Sequence, residues 1–170
     1  ANFATLATEA TDVITVTVSD DDAVNLNAET LSALGGKTAG TVTVTNAVNI
    51  VGTTAQVTAA LVTDATKVSV SDATVALDDG ETPTISQLND IADATDGVVT
   101  ATLAENTLAN FATLATEATD VITVTVNDDA GETLTASALS TLGGKTAGTV
   151  TVSNAAVSYT HLRAHETRGN

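Results

Sequence analysis

Thr41-Val42-Thr43-Val44-Thr45 alternates threonine and valine over five residues, and variants of it recur along the chain. Related stretches run over 13–18, 67–71, 99–103, 121–126 and 149–153. Successive side chains of a strand point to opposite faces, so each copy places Val, Ile or Leu on one face and Thr or Ser on the other. Branching at Cβ favours the extended backbone at both kinds of position. Six similar strands in one chain read as a repeat protein.

Two periods support that reading. Ala1–Val18 returns unchanged as Ala109–Val126, an offset of 108 residues, and the same offset carries Leu34–Val44 onto Leu142–Val152. The shorter period follows from aligning the strands on Val16, Val42, Val68, Ala101, Val124 and Val150, with spacings of 26, 26, 33, 23 and 26. The 33-residue step predicts an insertion, placed at Asp78-Asp79-Gly80-Glu81-Thr82.

Ahead of the strands lie segments with apolar residues three or four apart: Phe3 and Leu6, Leu31 and Leu34, Val57 and Leu61, Ile85, Leu88 and Ile91, Leu108, Phe111 and Leu114, and Leu139 and Leu142. That spacing puts the apolar side chains on one face of a short helix. Thr84 and Ser86 are candidate N-caps behind Pro83. Gly35-Gly36 and Gly143-Gly144 read as helix stops that use positive φ. After the strands, Asp20, Asn46, Asp72, Glu105, Asp128 and Asn154 fall in one aligned column of turn residues. Short apolar steps follow at Val24-Asn25-Leu26, Val48-Asn49-Ile50 and Val75-Ala76-Leu77, each a small second strand. The fold class expected is therefore an α/β repeat. Its form is an elongated solenoid of about six strand–turn–short-helix coils, each of about 26 residues, over residues 1–157. If the helical segments were loops, the alternative is an all-β parallel β-helix.

Composition limits the function. The chain has 21 acidic and five basic residues, a net charge of −16, with 43 % hydrophobic but only 2 % aromatic residues. Such a charge opposes nucleic-acid binding and attraction to anionic membranes. There is no cysteine, so neither a disulfide framework nor thiolate chemistry is available. No apolar run is long enough for membrane insertion. The small side chains suit a thin, regular interior, and the chain opens inside a repeat, as a fragment of a longer protein does.

From Ser158 the composition changes: both histidines, both arginines and the only tyrosine lie in residues 158–170. The string from Ser158 to Thr167 resembles a translated sequencing-adapter read-through, so a non-native or disordered tail is expected there and is set aside. What remains holds no His, Cys or Arg. Ser-His and Cys-His nucleophile pairs are then impossible, zinc ligation loses its usual donors, and no enzyme activity is expected. Gly36-Lys37-Thr38 lacks the glycine five positions earlier that a phosphate loop needs; Leu31 stands there.

Two kinds of site remain. Asp20, Asp21, Asp22, Asp78, Asp79, Glu81, Asp128 and Asp129 are oxygen-rich clusters in turns, the ligands a hard cation such as calcium prefers. The competing reading is a solvated acidic face. On the polar strand face, the alignment stacks Thr15, Thr41, Lys67, Thr100, Thr123 and Thr149 in one column. Thr17, Thr43, Ser69, Thr102, Thr125 and Thr151 form the next. Such ladders are similar to the Thr-x-Thr arrays of ice-binding proteins, although threonine is also the best polar residue for an exposed strand.

The pattern in Val68-Ser69-Val70-Ser71-Asp72-Ala73, in Ile85–Thr102 and in Gly52–Val57 resembles the β-strand repeats of giant cell-surface and RTX-adhesin-like proteins of marine bacteria, cyanobacteria especially. The glycine-rich calcium nonapeptide of RTX proteins is absent. The resemblance implies a structural or adhesive segment of a large secreted protein, placed outside the cell or on its surface. Its partners would be neighbouring repeats of the parent chain, and cell-surface glycans or other surfaces. The alternatives are a calcium-stabilised adhesin module and an ice- or ordered-surface binder.

Overall fold

The computed structural model describes residue 3 and residues 5–153. The expectations placed on Asn154 and on the tail 158–170 lie outside the described residues. The first half contains β1 (Val16–Val18), β2 (Asn25–Asn27), α1 (Ala28–Gly35), β3 (Val42–Val44), β4 (Asn49–Gly52), α2 (Thr54–Leu61) and β5 (Thr74–Leu77). The second half contains α3 (Ile85–Ala92), β6 (Val99–Thr102), α4 (Leu108–Phe111), β7 (Val121–Val126), α5 (Ala136–Gly143) and β8 (Val150–Val152).

The helices form where the apolar spacing placed them, except that residues 5–9 are not helical. Each opens on a residue whose side chain accepts from an N–H of the first turn: Asn27, Thr53, Thr84, Thr107 and Thr135. Thr53 with Gln56 and Thr84 with Gln87 complete capping boxes. Ser86 lies inside α3 and caps nothing. Eight-residue helices are too short to persist alone. Their Leu and Ile stripes (Leu31, Leu34, Val57, Leu61, Leu88, Ile91) are buried in one apolar cluster with the strand valines Val16, Val42, Val75, Val99 and Val124.

The glycines that end α1 work differently from the expectation. Gly36 has φ −69°, in the ordinary right-handed region. Gly35 is constrained by proximity instead, since a Cβ there would run into the backbone carbonyl of Thr66 on the next repeat.

Among the described residues all strand pairs are parallel, and the topology corrects the solenoid of six equivalent coils. The protein is a mixed α/β structure with a two-stranded sheet, β1-β3, and a six-stranded sheet, β2-β4-β5-β6-β7-β8. The all-β alternative fails with it, because five helices are present among the described residues. The Thr-Val strands do not share one column. β1 pairs with β3 in the register Val16↔Val42, and residues 67–71 add only a single bridge, Thr43↔Ser69. The larger sheet joins the short steps expected to be minor, β2, β4 and β5 (Leu26↔Ile50, Ile50↔Val75), to the Thr-Val strands β6, β7 and β8 through the pair Val75↔Val99.

The misplaced element is β6. Val99, not Ala101, occupies the position of Val42 and Val150, and its neighbour is Val75, not Val68. The 33-residue step compares Val68 with a strand that does not pair with it: β6 lies on β5, where the offset between Val75 and Val99 is 24. Residues 78–84 do form a loop between β5 and α3, turning at Gly80 with φ 86°. β7 takes part in two pairings. Its first half lies on β6 (Ala101↔Ile122) and its second half on β8 (Val124↔Val150). The β7-β8 pair repeats the β1-β3 register at the 108-residue offset.

Candidate functional site

The chemistry of the chain is concentrated where one repeat lies on the one before it. Thr-x-Gly occurs ahead of three strands: Thr38-Ala39-Gly40 before β3, Thr95-Asp96-Gly97 before β6 and Thr146-Ala147-Gly148 before β8. The buried hydroxyl of Thr146 shares its proton between the carbonyls of Asp120 (3.0 Å) and Ile122 (2.8 Å), and accepts from the N–H groups of Ile122 (2.8 Å) and Gly148 (2.8 Å). Thr38 makes the same four contacts to Asp12, Ile14 and Gly40. Thr95 donates toward Ser71 (3.2 Å) and Ala73 (2.6 Å) and accepts from Gly97 (3.1 Å). The hydroxyls of Thr38 and Thr146, each donating its proton and accepting two hydrogen bonds, have no capacity left for a ligand.

The glycine two residues on is fixed by the same contact. A Cβ at Gly40, Gly97 or Gly148 would press into the backbone of Ile14, Ala73 or Ile122. Threonine staple and glycine approach together set the strand register. The Thr-x-Gly spacing is visible in the sequence, and aligning on its glycine would have placed Val99 correctly.

Lysine and aspartate add to the joint. Lys37 donates from Nζ to the carbonyl of Leu6 (2.6 Å), and Lys145 from Nζ to those of Ala112 (2.9 Å) and Leu114. Thr8 donates to the Lys37 carbonyl and Thr116 to that of Lys145, both at 2.7 Å. Asp120, 4 % exposed, accepts from the N–H of Glu117 (2.9 Å) within its own turn and from that of Val99 (2.8 Å) on the preceding repeat.

The eight carboxylates expected to hold calcium are spread over three turns. Asp22 accepts from the N–H of Ala47 (3.1 Å), Glu81 from that of Thr54 (2.8 Å) at the start of α2, and Asp128 from that of Leu108 (2.9 Å) at the start of α4. The bond from Thr54 holds the Glu81 carboxyl below its ordinary pKa. Asp20 contributes its carbonyl to the side-chain amide of Asn46 (2.6 Å). Asp21, Asp79 and Asp129 are exposed, as are Asp78 and Asp22. Among the described residues, no group of three or more Asp, Glu, His or Cys side chains is arranged to hold a metal ion.

The continuous threonine ladders are also corrected. Thr17, Thr43 and Ser69 are neighbours, but Thr102 lies beside Thr123 and Thr125 beside Thr151. Thr100 faces Val121 and Ala76. The columns are two or three residues long because β6 lies on β5 and not on residues 67–71, and because its register on β7 is offset by two residues from the alignment. No described helix is long and apolar enough to cross a membrane. Compared with protein families, curated proteins and solved structures, the chain gives no match.

Proposed function

We propose that the chain is a structural and adhesive repeat segment of a large secreted or cell-surface protein, without catalysis of its own. The observation that carries this reading is the repeat-to-repeat joint. Thr38, Thr95 and Thr146, Lys37 and Lys145, and Asp120 each direct their polar atoms at the backbone of an adjacent repeat. Polar side chains committed in this way hold a scaffold together and leave little to act on a substrate. The interior is correspondingly thin, made of Val, Ile, Leu and Ala with Phe111 as its one fully buried aromatic among the described residues. Neighbouring repeats of the parent chain are its first partners, and surface polysaccharides or other surfaces are what such a scaffold would attach.

Single-molecule stretching between the two ends tests the mechanical part of this role. A force peak is expected, lowered when Thr146→Val removes a staple. Extension with no resisting peak would sink the reading. Repeating the measurement with a polysaccharide-coated tip separates bearing load from making the attachment.

A further inference from the structure

We propose that copies of this chain associate head to tail, β8 of one pairing in parallel with β1 of the next. Among the described residues both strands are edges: β1 has β3 on one side only, and β8 has β7 on one side only. Parallel sheet edges carry unpaired N–H and C=O groups and can template a further strand.

The chain itself contains both halves of the missing joint. β3 repeats as β8, and β3 is already paired on the side where β8 is open. There Ser69 donates its N–H to Val42 (2.8 Å) and accepts from Val44 (2.9 Å). The matching groups on β8 are the carbonyl of Val150 and the N–H of Val152. β1 repeats as the second half of β7, and β7 is paired on the side where β1 is open. There Thr123 and Thr125 accept from the N–H groups of Leu103 (3.0 Å) and Asn106 (3.1 Å). The matching groups on β1 belong to Thr15 and Thr17, and Thr17 is exposed.

Setting Thr17 between Val150 and Val152 satisfies both edges and keeps the strand polarity. Thr17 then takes the place that Ser69 holds beside Thr43. Asp12 is already in the pose that receives a neighbour. Its Oδ2 accepts from Glu9 N–H (3.0 Å) as that of Asp120 does from Glu117, yet Asp12 is exposed and Asp120 is buried. An apolar cavity of about 300 Å³ beside Phe3, Leu26, Leu31 and Leu34 adjoins the same end and offers area to bury. Two different patches of one chain make this a heterologous contact, so it grows into linear oligomers and does not close at a dimer. The net charge of −16 opposes it at low salt. The inference rests on the two edges and stands apart from any role at a cell surface.

The test is sedimentation velocity of the full chain at rising concentration, in dilute buffer and in 1 M salt, where the Debye length is about 3 Å. Growth beyond dimers is expected in high salt. Thr17→Pro blocks the β1 edge and Val152→Pro the β8 edge, because each removes an N–H that faces away from the existing partner strand. Each variant alone should associate about tenfold or more weakly, the effect of about 1.4 kcal/mol. Their equimolar mixture should stop at a one-to-one dimer, since Thr17→Pro keeps β8 and Val152→Pro keeps β1. Thermal melts confirm that each variant is folded, and Val152→Pro, in the last described strand, serves alone if Thr17→Pro does not fold. A wild-type chain that stays monomeric in 1 M salt overturns the proposal. Growth indifferent to the folded variants overturns it equally.

Discussion

Residues 1–18 and 109–126 have the same sequence and different surroundings. In the second copy Phe111, Leu114 and Ile122 are fully buried, Asp120 is enclosed, and the strand runs for six residues, Val121–Val126. In the first, Phe3, Leu6 and Ile14 are half-buried, Asp12 is exposed, Val13 is 82 % exposed, and the strand is Val16–Val18. What differs is the neighbour. Residues 89–106 lie against the second copy: Asn89 exchanges hydrogen bonds with Thr113 and Ala115, Val99 donates to Asp120, and β6 pairs with β7. Burial here is conferred by the adjacent repeat, so local sequence alone does not set it.

Truncating the aromatic ring should separate the copies most. Phe111→Ala is expected to cost about 3–5 kcal/mol, and Phe3→Ala about 1–2 kcal/mol, by chemical denaturation. Equal losses would mean that the first copy is covered in solution. Next comes the turn aspartate. Asp120→Ala strands the N–H groups of Val99 and Glu117 and should cost about 2–3 kcal/mol. Asp12→Ala, on an exposed turn, should stay within about 0.5 kcal/mol.

A third contrast lies in the loops that follow these copies. Ala23 has φ 61°, a left-handed conformation, and the residue 108 positions later is Gly131, with φ 99°. Ala23→Gly should therefore stabilise by about 1 kcal/mol, read as a raised denaturation midpoint with an unchanged slope. The smallest expected effect is the pH dependence of Glu81. Its pKa is lowered on folding by the N–H of Thr54, so its contribution is complete above the ordinary glutamate range and is lost as pH falls through the folded value. Wild type and Glu81→Gln should accordingly converge in stability as the solution is acidified, and a gap that widens would contradict the bond.

The helices were legible in their apolar residues at three- or four-residue spacing; of their caps only Thr84 was, and the same spacing at Phe3 and Leu6 gave no helix over residues 5–9. The 108-residue repeat was legible as plain identity. Register was not, and the reason is physical. A Thr-Val alternation looks the same after a slip of two residues, so Val99 and Ala101 are equally good anchors until another constraint is applied. That constraint is Gly97, which must approach the backbone of Ala73. Likewise the acidic residues were readable as turn formers, while the N–H groups that Asp22, Glu81 and Asp128 receive come from residues at least 20 positions away. Nothing local marks such partners.

The two lysine tethers also bear on how the chain meets a protease. Residues 1–157 contain only Lys37, Lys67 and Lys145 as basic residues. Lys37 and Lys145 are half-buried with their ammonium groups on carbonyls of the preceding segment, and a trypsin specificity pocket cannot take a side chain engaged in that way. Lys67 is exposed. Native digestion should nick this region first after Lys67 and spare the other two until the repeats separate, which makes the order of cleavage a clock for unstacking.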